Sequence, residues 1–348
     1  MVGEADGVEW KPLAILCAPQ VHGLHIGQTA SSQIEAKPDL NALGGSSITP
    51  DLDLDSSMTL FSGLSAFPIT PTTGEGEVIA SDLQKLVRSI EQGGADSLGL
   101  LGSTGTYMFL SREQRRRAVA LAVEATSAIP VMVGVGAMRT DEAQALARDA
   151  QAEGAAGLLL APVSYTPLTE EEVLQHFIAV ASASDLPLCI YSNPGTTNFT
   201  FRPEFVARLA AIPSVAAIKL PLPASGDLVG DLAAFRQAAP RLSIGYSGDW
   251  GCKDAMLAGA DCWYSVVGGL FPRQAAALAA AATRRDREES DRLDATFADL
   301  WTLLRSYGGL RVMYEVANLL GYTQARPPLP LLGLDDHALA RLASALPR

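Results

Sequence analysis

From Phe61 onward the chain alternates between short apolar runs and longer stretches whose apolar residues recur every three or four positions. The runs fall at Gly63–Phe67, Ser97–Leu101, Val131–Val135, Gly157–Ala161, Leu186–Tyr191, Val215–Lys219, Leu242–Tyr246 and Cys262–Val267. Their length and near-continuous apolar character predict eight strands buried on both faces, as in a parallel sheet. The stretches between them predict helices. Leu83, Leu86, Val87 and Ile90 share a face behind Ser81, the expected N-cap, and Gly93-Gly94 ends that helix. Ser111 with Gln114 and Thr169 with Glu172 fit capping boxes, and Pro203 suits a first helical turn. A small turn recurs before several strands, as Gly94-Ala95-Asp96, Gly154-Ala155-Ala156 and Gly259-Ala260-Asp261.

Eight strand–helix units in about 225 residues fit an α/β fold closed as a (β/α)8 TIM barrel better than an open doubly wound sheet. No Gly-x-Gly-x-x-Gly follows the first strand, which weakens a dinucleotide-binding reading. From about residue 286 the pattern is helical. Leu293, Phe297, Leu300, Leu303 and Leu304 share one face, Met313, Val316, Ala317 and Leu320 another, and a last helix is expected from about Asp335 to Leu346. The expected organisation is an irregular extension over 1–57, the barrel over 58–285, and a helical segment over 286–348 packed on the barrel's outside.

Residues 1–57 depart from this rhythm. They hold no arginine, and two lysines against eight acids give −6, half of the chain's net −12. Pro, Gly and Ser are scattered without period, which predicts a poorly ordered segment, with Met58 as a candidate alternative start. The pair His22 and His25 lacks the helix and further ligands of a metal site. At 348 residues and 48% hydrophobic content the chain can bury a large core. Its acidity argues against nucleic acid and anionic membranes as partners. No apolar run reaches membrane-span length and no leader-like pattern opens the chain, so a cytoplasmic location is expected. Cys17, Cys189, Cys252 and Cys262 form no CxxC and read as reduced core residues, a Cys252–Cys262 disulfide being the less favoured alternative.

In such barrels the C-terminal strand ends carry the chemistry. Those ends present Gly102-Ser103-Thr104-Gly105, Tyr191, Lys219, Ser247-Gly248-Asp249 and Gly268-Gly269. Lys219 stands out. Lys11 and Lys37 lie in the N-terminal segment, Lys85 on a helix and Lys253 near a helix start; only Lys219, in Ser214-Val215-Ala216-Ala217-Ile218-Lys219-Leu220-Pro221, ends a strand. A lysine is rarely buried without a partner. A hydroxyl pair in a glycine-rich turn offers short donors and free N–H groups to a carboxylate. An amine beside a phenol suits Schiff-base chemistry, the phenol moving the protons that carbinolamine formation and dehydration require. The attacking amine must be neutral, and an ordinary lysine is less than about 0.1% neutral at pH 7. Apolar neighbours such as Ile218, Leu220 and Leu222 favour the neutral form. Each part has a plain structural counterpart, for instance a strand-end lysine that simply reaches water. The three together on one rim point to function.

The order Gly102-Ser103-Thr104-Gly105, Tyr191-Ser192-Asn193-Pro194, Ile218-Lys219 and Ser247-Gly248-Asp249, with 28 positions from Tyr191 to Lys219, resembles the dihydrodipicolinate synthase/N-acetylneuraminate lyase family. The likeness runs from about Leu60 to the C-terminus. It implies a lyase, with Lys219 forming a Schiff base with pyruvate or another 2-keto acid. Tyr191 would be the proton shuttle, and Ser103, Thr104 and Gly105 the seat of the keto-acid carboxylate. Thr104 would link to Tyr191, Gly248 would line the pocket, and the Tyr264 carbonyl would approach the lysine. No cofactor and no metal are implied, and His176 and His337 fall on helices away from the rim. Family members are commonly tetramers built from dimers, so a homo-oligomer, tetramer or dimer, is expected.

The departures bear on the substrate. Thr106 stands where the family's turn usually ends in glutamate, and Leu220 where a glutamate usually follows the lysine. The tyrosine that the synthase sends to a neighbouring subunit falls on Ser164, with Tyr165 next. The arginine that holds the second substrate's carboxylate in the lysine-pathway synthase falls on Thr196. That loss counts against dihydrodipicolinate synthase itself. Thr196, Thr197 and Asn198 instead predict a polar, uncharged second substrate. Two alternatives stand beside the aldolase reading: a dehydratase or deaminase working through the same iminium, and a catalytically silent barrel that binds a keto acid.

Overall fold

The computed structural model describes residues 60–347. The extension read over 1–57, with Cys17, the His22 and His25 pair and the neighbouring Met58, lies outside the described residues. Eight strands, β1 (Gly63–Ala66), β2 (Ser97–Leu100), β3 (Val131–Gly134), β4 (Gly157–Leu160), β5 (Leu188–Tyr191), β6 (Val215–Pro221), β7 (Ser243–Ser247) and β8 (Cys262–Ser265), pair in parallel in sequence order. β8 then pairs with β1 and closes the barrel. The helices between them are α1 (Ala80–Gln92), α2 (Arg112–Ala125), α3 (Thr140–Ala152), α4 (Glu170–Ala181), the short α5 (Pro194–Thr197), α6 (Pro203–Leu209), α7 (Leu228–Ala238) and α8 (Asp249–Ala258). Five more follow: α9 (Pro272–Thr283), α10 (Arg287–Ala295), α11 (Ala298–Tyr307), α12 (Gly309–Leu319) and α13 (Asp336–Ala345).

Closure explains the apolar runs. Residues such as Leu98, Val133, Leu158, Ile190, Ile218 and Ile244 point outward and pack under the helices. Their alternates, including Met132, Leu159, Cys189, Ala217, Cys262 and Tyr264, fill the barrel interior. Both faces are therefore buried. Space inside is won by glycine at two inward positions. A Cβ on Gly99 would lie 2.2 Å from the Phe67 ring, and one on Gly245 would lie 2.5 Å from the Tyr264 ring. The N-terminal end of the barrel is stoppered by Leu60 and Phe61, whose side chains belong to the interior cluster. Gly157, at the start of β4, makes room for Leu60, and the Ser243 hydroxyl donates to the Phe61 carbonyl.

Local signals read in the sequence are realised in most places. The Ser111/Gln114 and Thr169/Glu172 capping boxes are both formed, and Pro203 opens α6. Gly94, Gly154 and Gly259 in the recurring turns all take positive φ (85°, 87° and 105°), the left-handed region where a Cβ is strained. The side chains of Asp96 and Asp261 then accept from the Leu64 and Ile244 amides at 2.7 and 2.8 Å, tying each turn to the neighbouring strand. Ser81 is not an N-cap: α1 starts at Ala80 behind Ile79, two residues earlier than such a cap would have it, and the Ser81 hydroxyl donates to Asp82 instead. β6 also runs two residues past Lys219, because Leu220 and Pro221 still pair with Tyr246 and Ser247. Leu320 lies just past the end of α12 and is 38% exposed, so it leaves the face shared by Met313, Val316 and Ala317. Cys189, Cys252 and Cys262 are buried free thiols.

The C-terminal helices are pinned by aromatic packing. Phe297, fully buried before α11, stacks on Trp301 at 4.8 Å and meets Phe271 edge-on at 6.2 Å. This brings the start of α12 over the C-terminal mouth of the barrel, where Gly309, Leu310 and Arg311 line its cavity.

Removing the stopper tests the division of labour between the two ends of the barrel. Phe61→Ala should lower the unfolding free energy by about 3–5 kcal/mol through the lost burial and the void left behind. Denaturant titration reads that loss, and keto-acid binding at the opposite mouth should stay within about twofold of the parent.

Candidate active site

At the C-terminal mouth the inward positions of β5, β6 and β8 converge with the loop after β2 on a cavity of about 690 Å³. Tyr191 and Lys219 sit side by side in the β5–β6 register, each at an inward position near its strand's end. Lys219 is 4% exposed. Its Nζ lies 3.7 Å from the Phe67 ring centroid, 4.5 Å from that of Tyr191 and 5.7 Å from that of Tyr264. Among the described residues the amine enters no ion pair and no hydrogen bond. A buried amine held on aromatic faces, without a carboxylate to fix its charge, is an unusual arrangement for a structural lysine.

The phenol beside it is engaged. The Tyr191 hydroxyl shares a 3.1 Å hydrogen bond with the Ser103 hydroxyl. Asn193 Nδ2 donates to both, at 3.2 Å to Tyr191 and 3.4 Å to Ser103. The turn that presents Ser103 is entered through Leu101 (φ 56°) and left through Thr106 (φ 55°). Left-handed backbone at two non-glycine residues costs about 1–3 kcal/mol each and tends to collect at functional sites. Room for it exists because Gly134 has no Cβ to strike the Leu101 carbonyl.

Of the residues read from the sequence, Ser103, Thr104, Tyr191, Thr196, Lys219, Gly248 and Tyr264 line this one cavity. Gly105 does not. It backs the turn, where a Cβ would lie 3.1 Å from the Leu101 Cα and 3.2 Å from the Thr70 hydroxyl. Tyr165 also lies outside, 89% exposed on the loop after β4. The expected link between Thr104 and Tyr191 is not made within the chain. Ser103 makes it, while the Thr104 hydroxyl lies 3.8 Å from where a Cβ on Gly309 would sit, toward α12. Tyr264 meets the lysine through its ring, and burial pushes its phenol far above the ordinary range, with nearby Cys189 and Cys262 adding to the effect.

Phe67, Asn193 and Tyr107 also line the cavity. Phe67 follows β1 and ends the first apolar run. Asn193 continues the inward alternation of β5 two positions past Tyr191, a signal that was present. Tyr107 has no such signal, because a short 3-10 turn after the glycine-rich loop carries it inward. Burial raises the Tyr107 phenol's pKa, neighbouring Tyr191 raises it further, and Arg115, 5.2 Å from the ring, works the other way. Arg115 itself is buried and donates to the Leu110 and Gly136 carbonyls, fixing the segment that holds Tyr107.

The model of the dihydrodipicolinate synthetase family matches residues 60–348. A protein from Salinibacter ruber named 4-hydroxy-tetrahydrodipicolinate synthase is 31% identical over 296 residues, covering 81% of this chain and 93% of its own length. Among solved structures, dihydrodipicolinate synthase from Agrobacterium tumefaciens is 52% identical with a TM-score of 0.80, over 83% of this chain and 98% of that one. The chloride-inhibited dihydrodipicolinate synthase from Acinetobacter baumannii, solved with pyruvate, is 29% identical with a TM-score of 0.76, over 82% and 97%.

The rim is held by a buried carboxyl. Asp249, first in α8, accepts from Trp263 Nε1 at 2.6 Å and from the Val266 and Val267 amides at 3.1 and 3.4 Å. Burial outweighs these donors and pushes its pKa up to about 6. With the folded value above the unfolded one, the group's contribution to stability is full below about pH 4 and is lost as pH rises through about 6. Measured by denaturation, the stability of the parent relative to Asp249→Asn should therefore fall across that window, by roughly 2–3 kcal/mol.

Proposed function

The chain belongs to the dihydrodipicolinate synthetase family of Schiff-base-forming lyases, and from that premise we propose that Lys219 is its covalent catalyst, acting on pyruvate or another 2-keto acid. The observation that carries this is the Lys219 amine itself, buried at the cavity floor against Tyr191 and free of any described ionic or hydrogen-bonding partner. A neutral amine there has its lone pair available. It attacks the keto carbon, and the carbonyl oxygen takes a proton to give a carbinolamine. The Tyr191 hydroxyl delivers that proton, regains one from the nitrogen, and helps the oxygen depart as water. The iminium that remains draws electrons from the adjacent carbon, which then makes or breaks a C–C bond.

The Ser103/Asn193 network supports the phenol in its role as relay, because the Ser103 hydroxyl can donate or accept as the proton moves while Asn193 Nδ2 donates to the phenol oxygen. Ser103, Thr104 and the N–H groups of their turn are the proposed seat of the keto-acid carboxylate. Gly248, at φ 98°, lines the same cavity. We also assign the chain to the cytoplasm and to a homo-oligomer, in which the exposed Tyr165 would be covered by a neighbouring subunit. Among the described residues no helix is long and apolar enough to cross a membrane.

Borohydride reduction in the presence of pyruvate tests the proposal directly. Mass spectrometry should locate one stable adduct on Lys219, absent from Lys219→Met. Tyr191→Phe should form the adduct more slowly and lower turnover by about 10²–10⁴-fold. A parent enzyme that traps no pyruvate, or traps it on another lysine, would return the silent-barrel reading to first place.

A further inference from the structure

Charged residues are scarce around the cavity. Lys219, Asp249 and Arg311 are the ones in its lining, and the Asp249 carboxyl already accepts from an indole and two backbone amides. Arg311 sits in the first turn of α12, half-buried, and enters no ion pair or hydrogen bond with the described residues. Its natural partner would be Glu315, one turn further along the same helix. That carboxylate is buried and faces away, held by Arg326 at 3.2 Å through both oxygens. A guanidinium without a counter-ion therefore borders the cavity of a chain whose net charge is −12.

We propose that Arg311 is a specificity-determining residue that binds a carboxylate at the end of the substrate remote from the reacting keto group. This deepens the reading above and rests on the keto acid being held at Lys219. The keto-acid end is provided for by Ser103, Thr104 and their turn on the loop after β2. A three-carbon adduct fills a small part of about 690 Å³, so space is left for the rest of the substrate. A planar guanidinium matches a carboxylate through two parallel N–H donors, and partial burial strengthens the pair over one in open water. Apart from the proposed Schiff-base amine, Arg311 is the one cation in the lining among the described residues, Thr196 on the loop after β5 being uncharged. The polar, uncharged second substrate expected from Thr196, Thr197 and Asn198 is thereby replaced by an anionic one. Thr106, also in the lining, is 2% exposed, and its hydroxyl has no hydrogen-bond partner among the described residues.

The test compares two 2-keto acids of equal chain length, 2-oxoglutarate with a distal carboxylate and 2-oxopentanoate without one. In the parent protein, half-maximal borohydride trapping on Lys219 should need on the order of tenfold less 2-oxoglutarate than 2-oxopentanoate. Arg311→Met should erase that preference and leave pyruvate trapping within about twofold of the parent. Arg311→Lys should restore part of it. A parent that treats both acids alike, or an Arg311→Met protein that keeps the preference, overturns the proposal. Calorimetric titration with the same pair needs no covalent step. A tenfold preference for 2-oxoglutarate there that Arg311→Met abolishes supports the anion site even if pyruvate trapping fails; equal affinities overturn it.

Discussion

A lysine amine buried without a counter-charge is the constraint on which this molecule turns. Burying an ammonium ion is expensive, and proteins normally meet the expense with a carboxylate or a shell of carbonyls. Here the described residues supply neither. The faces of Phe67, Tyr191 and Tyr264 surround the nitrogen. Much else in the barrel reads as accommodation of those three rings. Gly99 and Gly245 give up side chains so that two of them fit, and the strained turn from Leu101 to Thr106 brings the hydroxyl that engages the third.

The fold was legible because closure imposes a simple pattern. A strand covered on both faces must be apolar along its whole length, and eight such runs separated by amphipathic helices leave few architectures to choose from. The site was legible where it follows from strand parity. Tyr191 and Lys219 occupy inward positions at neighbouring strand ends, so the fold delivers them to one point. Asn193 and Phe67 obey the same parity and were readable in principle. Gly105 and Thr104 show where the reasoning stops. Within a turn, side-chain direction depends on backbone dihedrals at Leu101 and Thr106 that no periodicity encodes, and those dihedrals give the phenol to Ser103 rather than to Thr104.

Arg311 was illegible for a different reason. It lies 92 positions beyond Lys219 in sequence, on a helix whose pattern says only that Met313, Val316 and Ala317 are buried. Nothing local places its first turn over the barrel mouth. Phe297, stacked on Trp301 four residues along, also meets Phe271 edge-on, a tertiary contact between segments that look like ordinary outer helices. The chemistry of a barrel rim is therefore written partly in elements that take no part in the barrel.

The Leu60–Phe61 stopper makes the barrel a vessel with one working opening. Reactants, the expelled water and products share a single doorway, and the amine lies at its far end. On the proposed mechanism, a second reactant reaches the iminium through the same mouth as the first. The two hydrophobic side chains at the opposite end of the sheet shut the back of the chamber.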